Sequence, residues 1–340
     1  MAVVPLEIDK YSIRGSLGSG HFGDVYDAFD RALQVPRALK VVDVPDPQQF
    51  MANLQEARLL EICRHKHVVE VKEAGIYPVA GAPSVVIATE LLNRGSVQDL
   101  LEQQFVGLQL AVRIVREACF GLEHLHMNNV VHCDVKPANI LLADNGVAKL
   151  SDFGLAIKIQ MLRGPRQFYT LHGSPELVNG APPNPLTDVY AMGMTLYRLL
   201  NNISDLHAMA PNDARQAISS GRFPDRSGYK EFVPARVWRI CNKAIHSDPN
   251  RRFQAASDLR QALERLTFDI AWERLGDLQW EGARAMHKYE LSAFSIRSGW
   301  KVEFRKNGRR VRDHCLSQLA DNWQAQRHVD ETVASTSLAD

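Results

Sequence analysis

The feature that most constrains this 340-residue chain is the stretch from His132 to Gly154. It reads His132-Cys133-Asp134-Val135-Lys136-Pro137-Ala138-Asn139, passes through strand-like runs at Ile140 to Leu142 and Val147 to Leu150, and ends in Ser151-Asp152-Phe153-Gly154. Two carboxylates and an amide therefore sit on loops flanking short strands. Together they offer hard oxygen ligands for a divalent cation such as Mg²⁺ and a carboxylate able to take a hydroxyl proton. Any one of them alone could be a turn or cap residue. Coincidence does not account for the whole set at these spacings.

Upstream, Gly18-Ser19-Gly20-His21-Phe22-Gly23 followed by Val25 fits G-x-G-x-x-G-x-V between strand-like residues 11 to 17 and 24 to 30. Glycine suits a backbone that must approach a polyphosphate closely, although a tight hairpin without ligand explains the same pattern. A dinucleotide-binding turn would open a helix at Gly23, whereas Asp24 to Phe29 reads as a strand. Lys40 lies in a third strand, Arg37 to Val42, where an ammonium needs a counter-charge unless it snorkels to solvent. Glu56, on the helix expected from Phe50 to Cys63, is the candidate partner.

Strand-like composition returns at 68 to 76 and 84 to 90, predicting a small sheet with one helix on it. After Gly95 helical spacing dominates, near 108 to 127, 187 to 201, 210 to 220, 235 to 246 and 256 to 267. Leu259, Ala262, Leu263 and Leu266 form one buried face of the last.

The ordered set resembles the eukaryotic-type (Hanks-type) serine/threonine protein kinases over residues 11 to 268. The resemblance implies an α+β, bilobal fold, with a small β-rich lobe at 11–90 and a larger helical lobe at 95–268. It implies that ATP is held by Leu17, Gly18, Ser19, Gly20, Gly23, Val25 and Ala38, by Lys40 paired to Glu56, and by the hinge after Thr89 at Glu90 and Leu92. Asp134 would accept the substrate proton, Lys136 would neutralise charge on the γ-phosphoryl, and Asn139 and Asp152 would hold Mg²⁺. Lys136, two residues after Asp134, is similar to the serine/threonine branch, so a protein Ser or Thr is the expected acceptor. Ser174-Pro175-Glu176, Asp188 to Gly193 and Arg252 resemble structural motifs of the family, with Arg252 the expected buried partner of Glu176.

There are departures. Cys133 stands where many members have an arginine that meets a phosphorylated activation segment, so that switch is in doubt. The segment from Asp152 to Glu176 is a residue short on its approach to Ser174. Thr170 and Ser174 are the candidate autophosphorylation sites. Cys133 itself is expected to be packed and inert, and His65 with His67 to lie in a solvated loop after the helix.

Beyond 268 no family is assigned. Residues 269–328 read as a small α+β module, with a hairpin at Asn307-Gly308 and a helix through Leu316, Leu319, Ala320 and Trp323; residues 1–10 read as a lead-in and 329–340 as a flexible tail. Arg297, Lys301, Arg305, Lys306, Arg309, Arg310 and Arg312 surround the hairpin. Nucleic acid or an acidic partner could meet that basic segment, or it is a solvated edge. The whole chain is close to neutral, 40 Lys and Arg against 39 Asp and Glu, which argues against a whole-protein polyanion binder. Without a signal-peptide pattern or a membrane-spanning run, and with five scattered cysteines, a cytoplasmic protein is expected. Two alternatives accompany the kinase reading: a pseudokinase scaffold, and a sensor kinase whose basic module binds nucleic acid.

Overall fold

The computed structural model describes residues 7–20, 23–43, 54–159 and 168–339. The N-terminal lobe contains β1 (Glu7–Ile8), β2 (Tyr11–Gly20), β3 (Gly23–Asp30), β4 (Val35–Asp43), α1 (Gln55–Ile62), β5 (Val71–Val79) and β6 (Ala82–Thr89). Its strands form one antiparallel sheet in the order β1-β2-β3-β4-β6-β5. The period-two alternation of β4 sends Leu39 and Val41 into a cluster with Tyr11, Tyr26 and Ala28. Lys40 is thereby turned to the other face. The segment expected as a lead-in is part of this sheet, because Ile8 is buried and pairs with Tyr11. Phe50, the expected start of the helix, lies outside the described residues; α1 buries Ala57, Leu59 and Leu60.

The second lobe follows as α2 (Val97–Gln103), α3 (Leu108–Met127), β7 (Val130–Val131), β8 (Ile140–Leu142), β9 (Ala148–Leu150), β10 (Ile157–Lys158), α4 (Pro175–Val178), α5 (Pro185–Asn201), α6 (Ala214–Ser219), α7 (Ala235–Ala244) and α8 (Ala256–Glu264). Helix α5 is the axis of the lobe, buried along its whole length from Thr187 to Asn201. Its ends are written in the sequence: Asn184 Oδ1 accepts from the Leu186 amide at 2.8 Å, Pro185 occupies the first turn, and Asn202 closes it with φ of 52°. The hairpin β8–β9 and the antiparallel pair β7–β10 lie beside α3 and carry the loops of the site. The architecture is the expected bilobal one.

The C-terminal module is a meander of β11 (Ala271–Gly276), β12 (Gln279–Arg284), β13 (His287–Ile296), β14 (Gly299–Lys306) and β15 (Arg309–Arg310), with β16 (Leu316–Leu319) pairing to β14. Asn307 and Gly308 turn β14 into β15 with φ of 50° and 74°, as the hairpin signal requires. Two expectations fail here. Leu316 and Leu319 belong to a strand, since they register with Val302 and Trp300, and the helix, α9 (Asn322–Thr336), begins only after the Asp321 cap. Residues 329–339 are no loose tail. Ala325, Val329 and Val333 recur every four residues and pack on Leu291, Val302 and Phe304, while Leu338 bridges back to Phe268. Small β-branched residues at helical spacing do the work expected of larger ones around Trp323, which is 63% exposed.

Candidate active site

Between the lobes, Lys40 Nζ donates to both carboxylate oxygens of Glu56, at 3.0 and 2.8 Å, and to Asp152 Oδ1 at 2.8 Å. Strand β4, helix α1 and the loop after β9 thus converge on one ammonium. Burial disfavours the charge on Lys40, but the carboxylates of Glu56 and Asp152 outweigh it and hold its pKa above the ordinary lysine value. Burial likewise presses on Asp152, and the Lys40 ammonium overrides it to keep that carboxyl below its ordinary value. Asp152 has φ of 56° and accepts from the Gly154 amide at 3.4 Å.

The loop between β7 and β8 is shaped by Asp188 at the start of α5. Its carboxylate accepts from the amides of His132 at 2.8 Å and Cys133 at 2.9 Å and from His126 Nε2 at 3.0 Å. These bonds hold Cys133 at φ of 67°, a left-handed conformation that a non-glycine residue adopts only when its surroundings compel it. His132 then spans the two loops. Its Nδ1 accepts from the Asp134 amide at 3.3 Å, which leaves the proton on Nε2, directed at the Ser151 carbonyl 3.1 Å away.

Asp134 projects from this frame with its two oxygens in different circumstances. Oδ2 accepts from Lys136 Nζ at 2.6 Å and from Asn139 Nδ2 at 2.8 Å. Oδ1 receives no hydrogen bond from any described residue, although the side chain is only 6% exposed. Asn139 also donates to the Asp134 carbonyl at 2.9 Å, and its own oxygen is left open. A carboxylate with one fixed and one open oxygen is oriented to take a proton.

The remaining predicted residues surround this centre. Gly23, with φ of 121°, lies so close to β4 that a Cβ would run into the Val41 carbonyl. Gly18 has open space around it, so the fold demands glycine at Gly23 and leaves it optional at Gly18. Leu17 and Ser19 are exposed on the same strand, Val25 registers with Lys40, and Ala38 registers with Thr89 at the start of the hinge. The backbone of Glu90 and Leu92 carries no regular structure, and the Glu90 carboxylate is occupied with Lys149 at 2.6 Å. Gly20 ends β2, while His21 and Phe22 lie outside the described residues.

Arg252 is fully buried and grips Glu176 with two nitrogens, at 2.6 and 2.7 Å, as expected. Ser174 has no exposure and its hydroxyl finds no partner among the described residues; Thr170 is half-buried in a short 3₁₀ turn. His67 is buried with Nδ1 2.9 Å from the Ala148 carbonyl, and His65 stacks on His124, so this is no solvated loop. No cluster of metal-ligating side chains occurs there or elsewhere among the described residues. Sequence reasoning missed His126, whose signal is its place in the last turn of α3, and Arg198, which nothing local distinguishes.

The sequence profile of the family described as "Protein kinase domain" matches residues 11–263. The chain is similar to "Serine/threonine-protein kinase PknB" of Mycobacterium leprae, 28% identical over 276 residues that cover 78% of this chain and 44% of the relative. It is also similar to "Serine/threonine-protein kinase PknL" of Mycobacterium bovis, 28% identical over 274 residues, with 77% and 67% covered. The chain spans less than half the length of the PknB relative.

Proposed function

The chain belongs to the protein kinase family, and from that premise we propose that it transfers the γ-phosphoryl group of ATP to serine or threonine hydroxyls of proteins. The observation that carries this reading is Asp134, whose Oδ2 is fixed by Lys136 and Asn139 while Oδ1 is open. The acceptor hydroxyl would give its proton to Oδ1 as its oxygen bonds to phosphorus, and the bond from phosphorus to the β–γ bridging oxygen breaks to release ADP. Lys40, oriented by Glu56, would lie against the α- and β-phosphates, and Lys136 against the γ-phosphoryl. Little more is needed, because phosphoryl transfer is accelerated mainly by positioning and charge neutralisation.

A divalent cation fits the donors present. Asp152 Oδ2 and Asn139 Oδ1 receive no hydrogen bond from described residues, and one carboxylate plus one carbonyl, completed by phosphate oxygens and water, is the oxygen set that Mg²⁺ accepts. Bound there, it would supply charge neutralisation on the phosphates.

Residues 11–268 would form the phosphotransfer unit and residues 269–339 an accessory module. For Arg297 to Arg312, where Glu303 pairs with Lys301 at 2.5 Å and Arg305 at 2.9 Å, a solvated basic edge is proposed rather than a nucleic-acid site. Five cysteines scattered along the chain, with no C-x-x-C pair, suit a cytoplasmic setting, and no helix among the described residues is long and apolar enough to cross a membrane. The test is transfer of labelled γ-phosphate to a generic basic protein and to the chain itself, comparing the intact protein with Asp134→Asn. Transfer lost by a factor of about 10²–10⁴ supports the reading. ATP binding without transfer, whatever the metal, would turn it into a scaffold.

A further inference from the structure

Lys136 also lines a cavity of about 530 Å³. Its wall includes Lys136, Tyr169, Arg198 and His207. The Tyr169 hydroxyl is 2.9 Å from His207 Nε2, and Lys136 Nζ sits 5.2 Å from the Tyr169 ring centroid. The same ammonium holds Asp134, so the cavity is joined to the phosphotransfer centre through one side chain.

Arg198 is the unusual member. It projects from the central helix α5 and is 4% exposed, yet it has no carboxylate within ion-pair distance among the described residues. Its Nε donates to the Ile203 carbonyl at 3.1 Å, and Nη2 donates to Gln98 Oε1 at 2.6 Å and the Ser204 carbonyl at 2.5 Å. Nη1 has no partner among them. A buried guanidinium that meets only neutral oxygens has lost its hydration without gaining a counter-ion, and this is costly.

Burial holds the Arg198 pKa below the ordinary arginine value, and the two acids at the mouth favour its charge from a distance without outweighing that burial. Glu102 accepts from Gln98 Nε2 at 2.6 Å, and Asp205 accepts from the amides of His207 and Ala208 at 2.9 and 3.2 Å. The stretch 160–167, which leads into this wall and lies outside the described residues, contains no acidic residue. A cationic ligand would have to sit against both Arg198 and Lys136. The missing charge is negative.

We propose that this cavity is an acceptor subsite for an anionic side chain, a carboxylate or a phosphorylated residue, flanking the hydroxyl that receives phosphate, and that Arg198 Nη1 reads it. This deepens the kinase reading and rests on it. Tyr169 and His207 shape the cavity, and Lys136 shares the anion's field. Guanidinium is suited to the task because it keeps its charge when buried and presents nitrogens in a fixed plane.

The test uses the full chain with Mg²⁺-ATP and peptides that share one acceptor serine and differ at a single flanking residue, placed in turn one to four positions either side. That residue is Glu, phosphoserine, Gln or Arg. At one offset the Glu or phosphoserine peptide should be used about tenfold or more better in kcat/KM than its Gln counterpart, and the larger of the two effects identifies the anion's source. In Arg198→Gln this ratio should fall to within about twofold. Should that variant not fold, Arg198→Lys, which keeps charge without the fork, should lower the ratio in part. Preference for the Arg peptide, no preference at any offset, or a preference unchanged in the Arg198 variants would overturn the proposal. If no peptide and no autophosphorylation is turned over, the kinase reading itself has failed. Fluorescence anisotropy with the same labelled peptides then still decides whether an anion is bound through Arg198.

Discussion

Removing the ring of Phe105 tests whether the C-terminal module is a passenger or part of the helical lobe. Phe105 follows α2 and meets Trp280 of the module edge-on, with ring centroids 5.3 Å apart and planes at 89°. Phe232, from the loop before α7, completes a triangle at 5.5 Å from Phe105 and 5.3 Å from Trp280. Arg274 lies over both Phe105 and Trp280, at 6.0 and 5.8 Å. Two aromatic pairs contribute about 0.5–1.5 kcal/mol each beyond area burial, and a partly buried ring adds about 1 kcal/mol of transfer energy. Phe105→Ala should therefore cost about 2–4 kcal/mol, toward the lower part of the range of about 3–5 kcal/mol for a fully buried phenylalanine. Urea unfolding followed by tryptophan fluorescence and far-UV circular dichroism reads it, because Trp272 and Trp280 are both buried in the module. With module and lobe unfolding together, both signals should move to a lower midpoint in one shared transition. Separate transitions, with a change below about 0.5 kcal/mol in each, would refute the idea that the aromatic triangle couples them.

Three further outcomes are expected. Arg252→Met should cost about 3–5 kcal/mol, since it strands the Glu176 carboxylate, which is 18% exposed; thermal unfolding checks this, and removing both partners should cost less than the arginine alone. His172 is fully buried, and burial first, then the charges of Arg198 and Lys136, push its pKa down to about 3. The unfolded chain thus binds a proton that the folded chain refuses, so stability is lost as pH falls below the unfolded value of 6.5, by about 2 kcal/mol at pH 5. His172→Phe should flatten that slope in unfolding measured across pH. Asp330 on α9 behaves oppositely: burial raises its pKa to about 6, with Glu231 adding to the rise and Gln326, Arg274 and Lys230 opposing it. Its contribution is intact below about pH 4 and lost as pH rises through 6, so Asp330→Asn should stabilise the protein at pH 7 by about 1–3 kcal/mol, and a variant no more stable at pH 7 than at pH 4 relative to wild type would contradict it.

The chemistry was legible because it resides in residue types whose spacing along the chain is short. Asp134, Lys136 and Asn139 share one loop, so their meeting needs only a turn, and Lys40 announces its need for a partner by standing in an apolar strand. What stayed hidden depends on long-range packing. Arg198 looks like a surface residue until α5 is seen to be buried all round, and nothing local in the sequence joins Tyr169 to His207, thirty-eight positions on, whose ring nitrogen lies at its hydroxyl. The C-terminal helix was missed for another reason. Its buried stripe is Ala325, Val329, Thr332 and Val333, too short in side chain to register beside Trp323, although the spacing is helical. Leu316 and Leu319 look like helix formers, and only their pairing with β14 makes them a strand.

Cys133 shows how a departure from a family pattern can be read physically. Its side chain is buried in a cluster with Val131, Ile157 and the partly buried Leu155, an apolar setting in which a phosphate could not be received. Yet the left-handed backbone at this position is held through the amides of His132 and Cys133 by Asp188, not through the side chain. Asp188 thus holds the loop carrying Asp134 through backbone amides. Contact between this loop and the segment before α4 passes instead through Lys136 and the face of Tyr169. That contact is uncharged on the tyrosine side and forms in the unmodified chain.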